Sequence, residues 1–170
     1  SINVMIIKMR RRNEYLGCFV DKEQLKNIPF SRTPHEKEVR YPHVTLIFRP
    51  VEIPCALLGE NVRIRVIGYG ADAYNEGLLA EVFSDNAEVH KLIDAVETPH
   101  ITLSLREGGR AVDTKNLQFS PIPPFEIDGV IGLYSDGSVI YEGTWAAGMM
   151  SGPGTRYYAN GKKYVGSWQE

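Results

Sequence analysis

Apolar and polar residues alternate along much of the chain with a period of two, the mark of strands buried on one face. The clearest case is 61–67, where Val62, Ile64 and Val66 face one way and Arg63 and Arg65 the other. Residues 14–20, 43–48, 78–83, 100–105 and 125–134 read as further strands. A polar amphipathic piece covers 21–27, and Pro29 and Pro34 then punctuate a loop. Val89, Leu92, Ile93 and Val96 recur at helical spacing and predict a helix over 86–96, capped by Ser84 or Asp85. Residues 68–77 read as a loop and 107–110 as a turn. Mostly antiparallel strands with a few helices predict an α+β domain.

The pattern changes near Ser135. Seven of the 16 glycines lie between Gly137 and Gly166, and both Trp residues, Trp145 and Trp168, lie beyond 140. The stretch repeats itself: Tyr141-Glu142-Gly143-Thr144-Trp145 returns as Tyr164-Val165-Gly166-Ser167-Trp168, a spacing of 23 residues. Asp136-Gly137 and Asn160-Gly161 are hairpin-turn pairs, because both central residues of such turns need positive φ. A short period with one hairpin per repeat predicts a stacked β-hairpin array. With Gly148, Gly152 and Gly154 added, this segment resembles the MORN repeat family. The resemblance implies a protein-contact or membrane-associated scaffold role, hence a protein partner for the tail. It divides the chain into 1–134 and a β-hairpin extension, 135–170.

Composition narrows the classes. With 19 Lys plus Arg against 21 Asp plus Glu, the formal charge of −2 argues against a broadly basic nucleic-acid coat protein. It leaves room for a small basic groove. Two cysteines, Cys18 and Cys55, are too few for a disulfide framework or a cysteine-rich zinc site. No apolar run approaches the roughly 20 residues that span a bilayer, and no signal-peptide pattern opens the chain, so a cytoplasmic location is expected. Ser1 in place of an initiator Met reads as an added or a trimmed end.

The candidate chemistry sits in two matching segments, Pro42-His43-Val44-Thr45-Leu46 and Pro99-His100-Ile101-Thr102-Leu103. On a strand, His and Thr two residues apart share a face, while the apolar residues anchor the other. Ser104 is expected to extend the polar face of the second strand. With 4 His and 7 Thr in the chain, two chance His-x-Thr matches arise in roughly one sequence in a hundred. Facing each other, one imidazole could take a proton while the other gives one, and both roles are open to His near neutral pH. The Thr hydroxyls could donate to phosphoryl oxygens. No metal and no cofactor is needed.

This pair resembles the two-histidine (2H) phosphoesterase superfamily over residues 15–134. The resemblance implies a bilobal, pseudo-symmetric arrangement of antiparallel sheets around a central cleft. It implies hydrolysis of cyclic phosphates, 2′-5′ linkages or related phosphodiesters at nucleotides or RNA ends. His43 and His100 carry over as acid and base, with a lean toward His100 as the one that activates water. Thr45 and Thr102 carry over as phosphate ligands. A nucleotide-holding scaffold without turnover is the rival reading.

Tyr15, which could reach the cleft from the first strand, Tyr69 and Tyr74, which could stack on a base from the loop, and Ser104 are further candidate substrate contacts. A Gly-x-Gly-x-x-Ala match over 68–73 hints at dinucleotide binding, but Asn75-Glu76-Gly77 follows at once and leaves no room for a long helix. Lys8, Arg10, Arg11 and Arg12 read as a solvated basic run, and His35 and His90 as surface residues.

Overall fold

The computed structural model describes residues 6–8, 13–135, 137–141, 145–150, 155–158 and 163–165. The strands are β1 (Ile6–Lys8), β2 (Tyr15–Val20), β3 (Lys37–Glu38), β4 (His43–Phe48), β5 (Glu52–Pro54), β6 (Asn61–Ala71) and β7 (Asn75–Phe83). A single α-helix among the described residues, α1 (Ala87–Asp94), precedes β8 (His100–Leu105) and β9 (Ser120–Ser135). The tail carries β10 (Ser138–Ile140), β11 (Trp145–Met150), β12 (Thr155–Tyr158) and β13 (Lys163–Val165). Short 3₁₀ turns cover Lys22–Leu25, Cys55–Leu57 and Ala111–Asn116. The fold is thus sheet-rich with few helices. The Asn160-Gly161 turn, Asp136, Trp168 and Arg10 to Arg12 lie outside the described residues.

The chain divides into two compact units, and β2, β4 and β9 have residues in both. The first unit takes Ser1–Gly17, Leu46–Glu60 and Val130–Glu170. In it β1 pairs with β5 and β10 with the end of β9, both antiparallel. Leu16, Ile53, Leu58, Ile131 and Leu133 are buried there. β11, β12 and β13 form a separate antiparallel sheet, with Trp145 opposite Tyr158 and Arg156 opposite Tyr164.

The second unit takes Cys18–Thr45 and Asn61–Gly129. Its strands follow the order β3-β8-β7-β6-β9-β2-β4. The alternation over 61–67 is observed as expected, with Val62, Ile64 and Val66 buried and Arg63 and Arg65 exposed. α1 lies against β7 and buries Val89 and Ile93. Its cap is Asn86, not Ser84 or Asp85: the Asn86 side chain accepts from the amides of Glu88 and Val89 at 2.9 and 3.2 Å.

β3 and β4 stand at opposite ends of this order, yet only residues 39–42 separate them. From Glu38 to His43 an extended chain reaches at most about 18 Å. A flat sheet would need six strand spacings, about 29 Å. The sheet therefore curls. The link itself records it: the Val39 amide bonds to the Leu103 carbonyl on β8 at 2.9 Å, while the Pro42 carbonyl accepts from Val20 on β2 at 3.0 Å.

The expected loop over 68–77 is mostly strand. β6 runs on to Ala71 and β7 begins at Asn75. The Asp72 carboxylate makes the tight turn by accepting from the amides of Tyr74 and Asn75, at 2.9 and 2.8 Å. The glycines mark close approach rather than a loop. A Cβ on Gly70 would lie 3.1 Å from the Gln118 carbonyl oxygen, and one on Gly77 would lie 2.4 Å from Thr114 Cγ2. Residues 114–120 thus lie directly on this part of the sheet. Gly77→Ala should therefore lower stability by about 1–3 kcal/mol through overpacking, read as a lower urea midpoint. An unchanged midpoint would contradict the close contact.

Candidate active site

The two His-x-Thr strands form as expected. On β4, Val44 and Leu46 are buried while His43 and Thr45 stay partly exposed. On β8, His100 is partly exposed and Ile101 is buried. His43 and His100 both belong to the second unit, and His100 comes close enough for its charge to act on His43.

Each imidazole is held the same way. Nδ1 of His43 lies 2.8 Å from the Tyr41 carbonyl, and Nδ1 of His100 lies 2.7 Å from the Thr98 carbonyl. A carbonyl only accepts, so Nδ1 carries the hydrogen in both rings. The shared Pro at 42 and 99 fixes its own φ and biases the residue before it toward extended backbone, so the same local geometry recurs. His43 also packs against Phe19, with ring centroids 5.1 Å apart. Its pKa is pushed down to about 4, first by burial and further by His100, with the Tyr41 bond opposing. At neutral pH His43 is therefore uncharged, with its lone pair on Nε2.

The hydroxyls are not equivalent. Thr45 Oγ1 lies 3.0 Å from His43 Nε2. Thr102 is buried, and its Oγ1 lies 2.8 Å from Thr114 Oγ1. Thr114 in turn accepts from Asn75 Nδ2 at 2.9 Å. The turn over Ala111–Asn116 covers the Thr102 face, so this hydroxyl is committed within the protein.

The expected polar face of β8 does not continue to Ser104. Thr102 pairs with Gly77 and Ser104 with Glu76, so the bulge at Leu103 turns Ser104 to the opposite face. There Ser104 donates to Glu76 at 2.7 Å. Tyr69 is on β6, not on a loop, and its hydroxyl donates to Glu76 at 2.6 Å. Arg32 donates to the same carboxylate through Nε at 2.9 Å and Nη2 at 2.7 Å. Tyr74 lies at the β6–β7 turn, beside Arg106 and at the other end of β8 from His100. Tyr15 stacks on Tyr134 in the first unit, with centroids 4.8 Å apart. Tyr69 and Ser104 thus lie on the face of the sheet opposite His100, and Tyr74 lies at the turn.

Glu76 is fully buried, and no local sequence pattern marks it. It fastens the segment around Arg32 to the sheet. The Thr33 amide donates to Tyr69 Oη, and the His35 amide donates to Ser104 Oγ. His35, read as a surface residue, also donates from Nε2 to the Asp72 carbonyl at 2.9 Å. Among the described residues no group of three His, Cys, Asp or Glu side chains could hold a metal ion. Nor is any helix among them long and apolar enough to cross a membrane.

Burial is the largest influence on Glu76 and would raise its pKa, but the bonds from Arg32, Tyr69 and Ser104, with the Arg32 charge, together hold it below 4.5. A carboxyl with a depressed folded pKa contributes stability in full above its unfolded value and loses it as pH falls through the folded one. Glu76→Gln should therefore cost about 2 kcal/mol or more at pH 7, and the gap from wild type should narrow at pH 3. Urea denaturation at both pH values measures it. A gap that does not change with pH would contradict the ionised state of Glu76.

The MORN repeat family model matches residues 141–163, starting at Tyr141 and stopping one residue before the second copy opens at Tyr164. No curated protein and no solved structure matches the chain.

Proposed function

We propose that the chain is a metal-independent phosphodiesterase of the two-histidine kind, with His43 and His100 as its proton-transfer pair. Its substrate would be a cyclic phosphate, a 2′-5′ linkage or another small phosphodiester at a nucleotide or RNA end. On this reading residues 1–134 supply two pseudo-symmetric halves around a cleft, and 135–170 are an appended hairpin segment. The observation that carries it is the matched pair of imidazoles. Each sits at the start of a strand, each has Nδ1–H on the carbonyl two residues back, and the two interact.

The uncharged state of His43 at neutral pH suits it to accept a proton and leaves His100 to supply one. This reverses the lean taken from the sequence. Thr45 stands at the reacting group. Thr102 would serve a phosphate oxygen only by exchanging its bond to Thr114. The MORN match favours a second role beside the first, in which the tail recruits a protein partner in the cytoplasm. If the histidine site only holds a nucleotide, the tail would carry the main function.

The test assays 2′,3′-cyclic nucleotides, 2′-5′ oligoadenylates and cyclic oligonucleotides in EDTA. His43→Ala and His100→Ala should each lower turnover about 10²–10⁴-fold, while a chain ending at residue 134 should keep turnover if the tail only recruits. Full activity in both variants, or loss of wild-type activity in EDTA, would contradict the proposal. Nucleotide binding without turnover would favour the scaffold reading.

A further inference from the structure

Strand register in the second unit lays an accessible strip beside His100. Leu79 on β7 is opposite His100 on β8, and Glu81, two residues further on, shares the face of Leu79. Arg65 on β6 is opposite Glu81, and Arg63 is opposite Phe83, so these side chains all lie on the His100 face of the sheet. His100 and Leu79 are partly exposed, and Arg63, Arg65, Glu81 and Phe83 are exposed. In the other direction the same face is covered, because residues 114–120 lie over Gly77, Gly70 and Gly68. From the His100 imidazole, the open surface along β7 therefore runs toward Phe83.

The strip offers what a single-stranded nucleic acid needs, a cation for a phosphate and an aromatic face for a base. Arg63 is paired with Glu126 at 3.2 Å, whereas Arg65 makes no hydrogen bond or ion pair among the described residues, even with Glu81 opposite. Phe83 is 48% exposed. It walls a hollow of about 290 Å³ that Asn61, Asp85 and Asp128 also line, near the lower end of ligand-pocket sizes. Ionised carboxylates only accept, so the hollow suits the amino edge of a base and not a phosphate. Four residues of β7 and one strand spacing set the backbones of His100 and Phe83 about 14 Å apart. A single nucleoside with its phosphorus at His100 falls short of Phe83, and one further nucleotide covers the distance.

Resting on the phosphodiesterase reading above, we propose that this strip binds the nucleotide next to the reacting one, and that the substrate is an RNA end of two or more nucleotides rather than a free mononucleotide. With the terminal cyclic phosphate at His43 and His100, the chain leads back along β7. Arg65 meets the phosphate that joins the last two nucleotides. Glu81 accepts from a ribose hydroxyl, and the preceding base stacks on Phe83. Neither Arg65 nor Phe83 touches the reacting atoms. Their effect is on which substrate is preferred, not on the proton transfers.

Substrate length tests this on the full chain. Uridine 2′,3′-cyclic phosphate is compared with the dinucleotide ApU carrying the same cyclic end, and kcat/KM should be about tenfold or more higher for the dinucleotide. Arg65→Ala and Phe83→Ala should each remove most of that ratio. Phe48→Ala, which takes away another exposed ring, should leave it. Equal kcat/KM for the two substrates, or a ratio that Arg65→Ala and Phe83→Ala do not change, would overturn the strip and leave the phosphodiesterase standing. Fluorescence anisotropy of a fluorescein-labelled RNA hexamer reads the strip without turnover. Binding that each variant weakens about tenfold, with no diester cleaved by the wild type, would support the strip and overturn the phosphodiesterase reading alone. Equal hexamer binding by the wild type and both variants, or none by any of them, would contradict the strip.

Discussion

The short link between β3 and β4 constrains everything built on the second unit. Four residues join the two ends of a seven-strand order, and a flat sheet would hold those ends about 29 Å apart. The backbone cannot stretch that far, so curvature follows from connectivity before any side chain is considered. The bonds from Val39 to Leu103 and from Val20 to Pro42 fix where the ends meet. Because His43 follows the link directly and His100 opens the strand beside β3, the same constraint brings the two imidazoles into range of each other.

Curvature alone would not give chemistry. Two carbonyls set both rings in one tautomer, and burial then decides charge. One face of β8 supports this with neutral hydroxyls, from Thr102 through Thr114 to Asn75. The opposite face uses a buried carboxylate, Glu76. Isolated burial of such a charge costs several kcal/mol, and Arg32, Tyr69 and Ser104 offset it together. The two networks share β8 but not a face, because the bulge at Leu103 divides them.

Much of this was legible in the sequence, for a simple reason. Period-two alternation reports local backbone, so the strands carrying His43 and His100 could be placed from it. Ser104 could not, since one extra residue in a strand reverses every later side chain. The glycines over 68–77 suggested a loop because the same absence of Cβ serves turns and close packing alike. Asn86 displaced the expected helix caps by one or two positions. The Glu76 cluster was invisible, because Arg32 is 44 residues away and Ser104 is 28 away, and no local pattern joins them. The hairpin segment was the reverse case, since a repeat is a sequence property and the MORN match falls on the repeat that was read.

The central claim is that His43 and His100 act on each other, with His43 uncharged at neutral pH. Titration of both imidazoles by nitrogen-15 and carbon-13 NMR tests it most directly. The account predicts that His43 titrates near pH 4 as a ring protonated at Nδ1, and that His100→Ala moves this titration upward by removing a charge that opposes protonation. A His43 that titrates near the ordinary 6.5, and does not respond to His100→Ala, would contradict it.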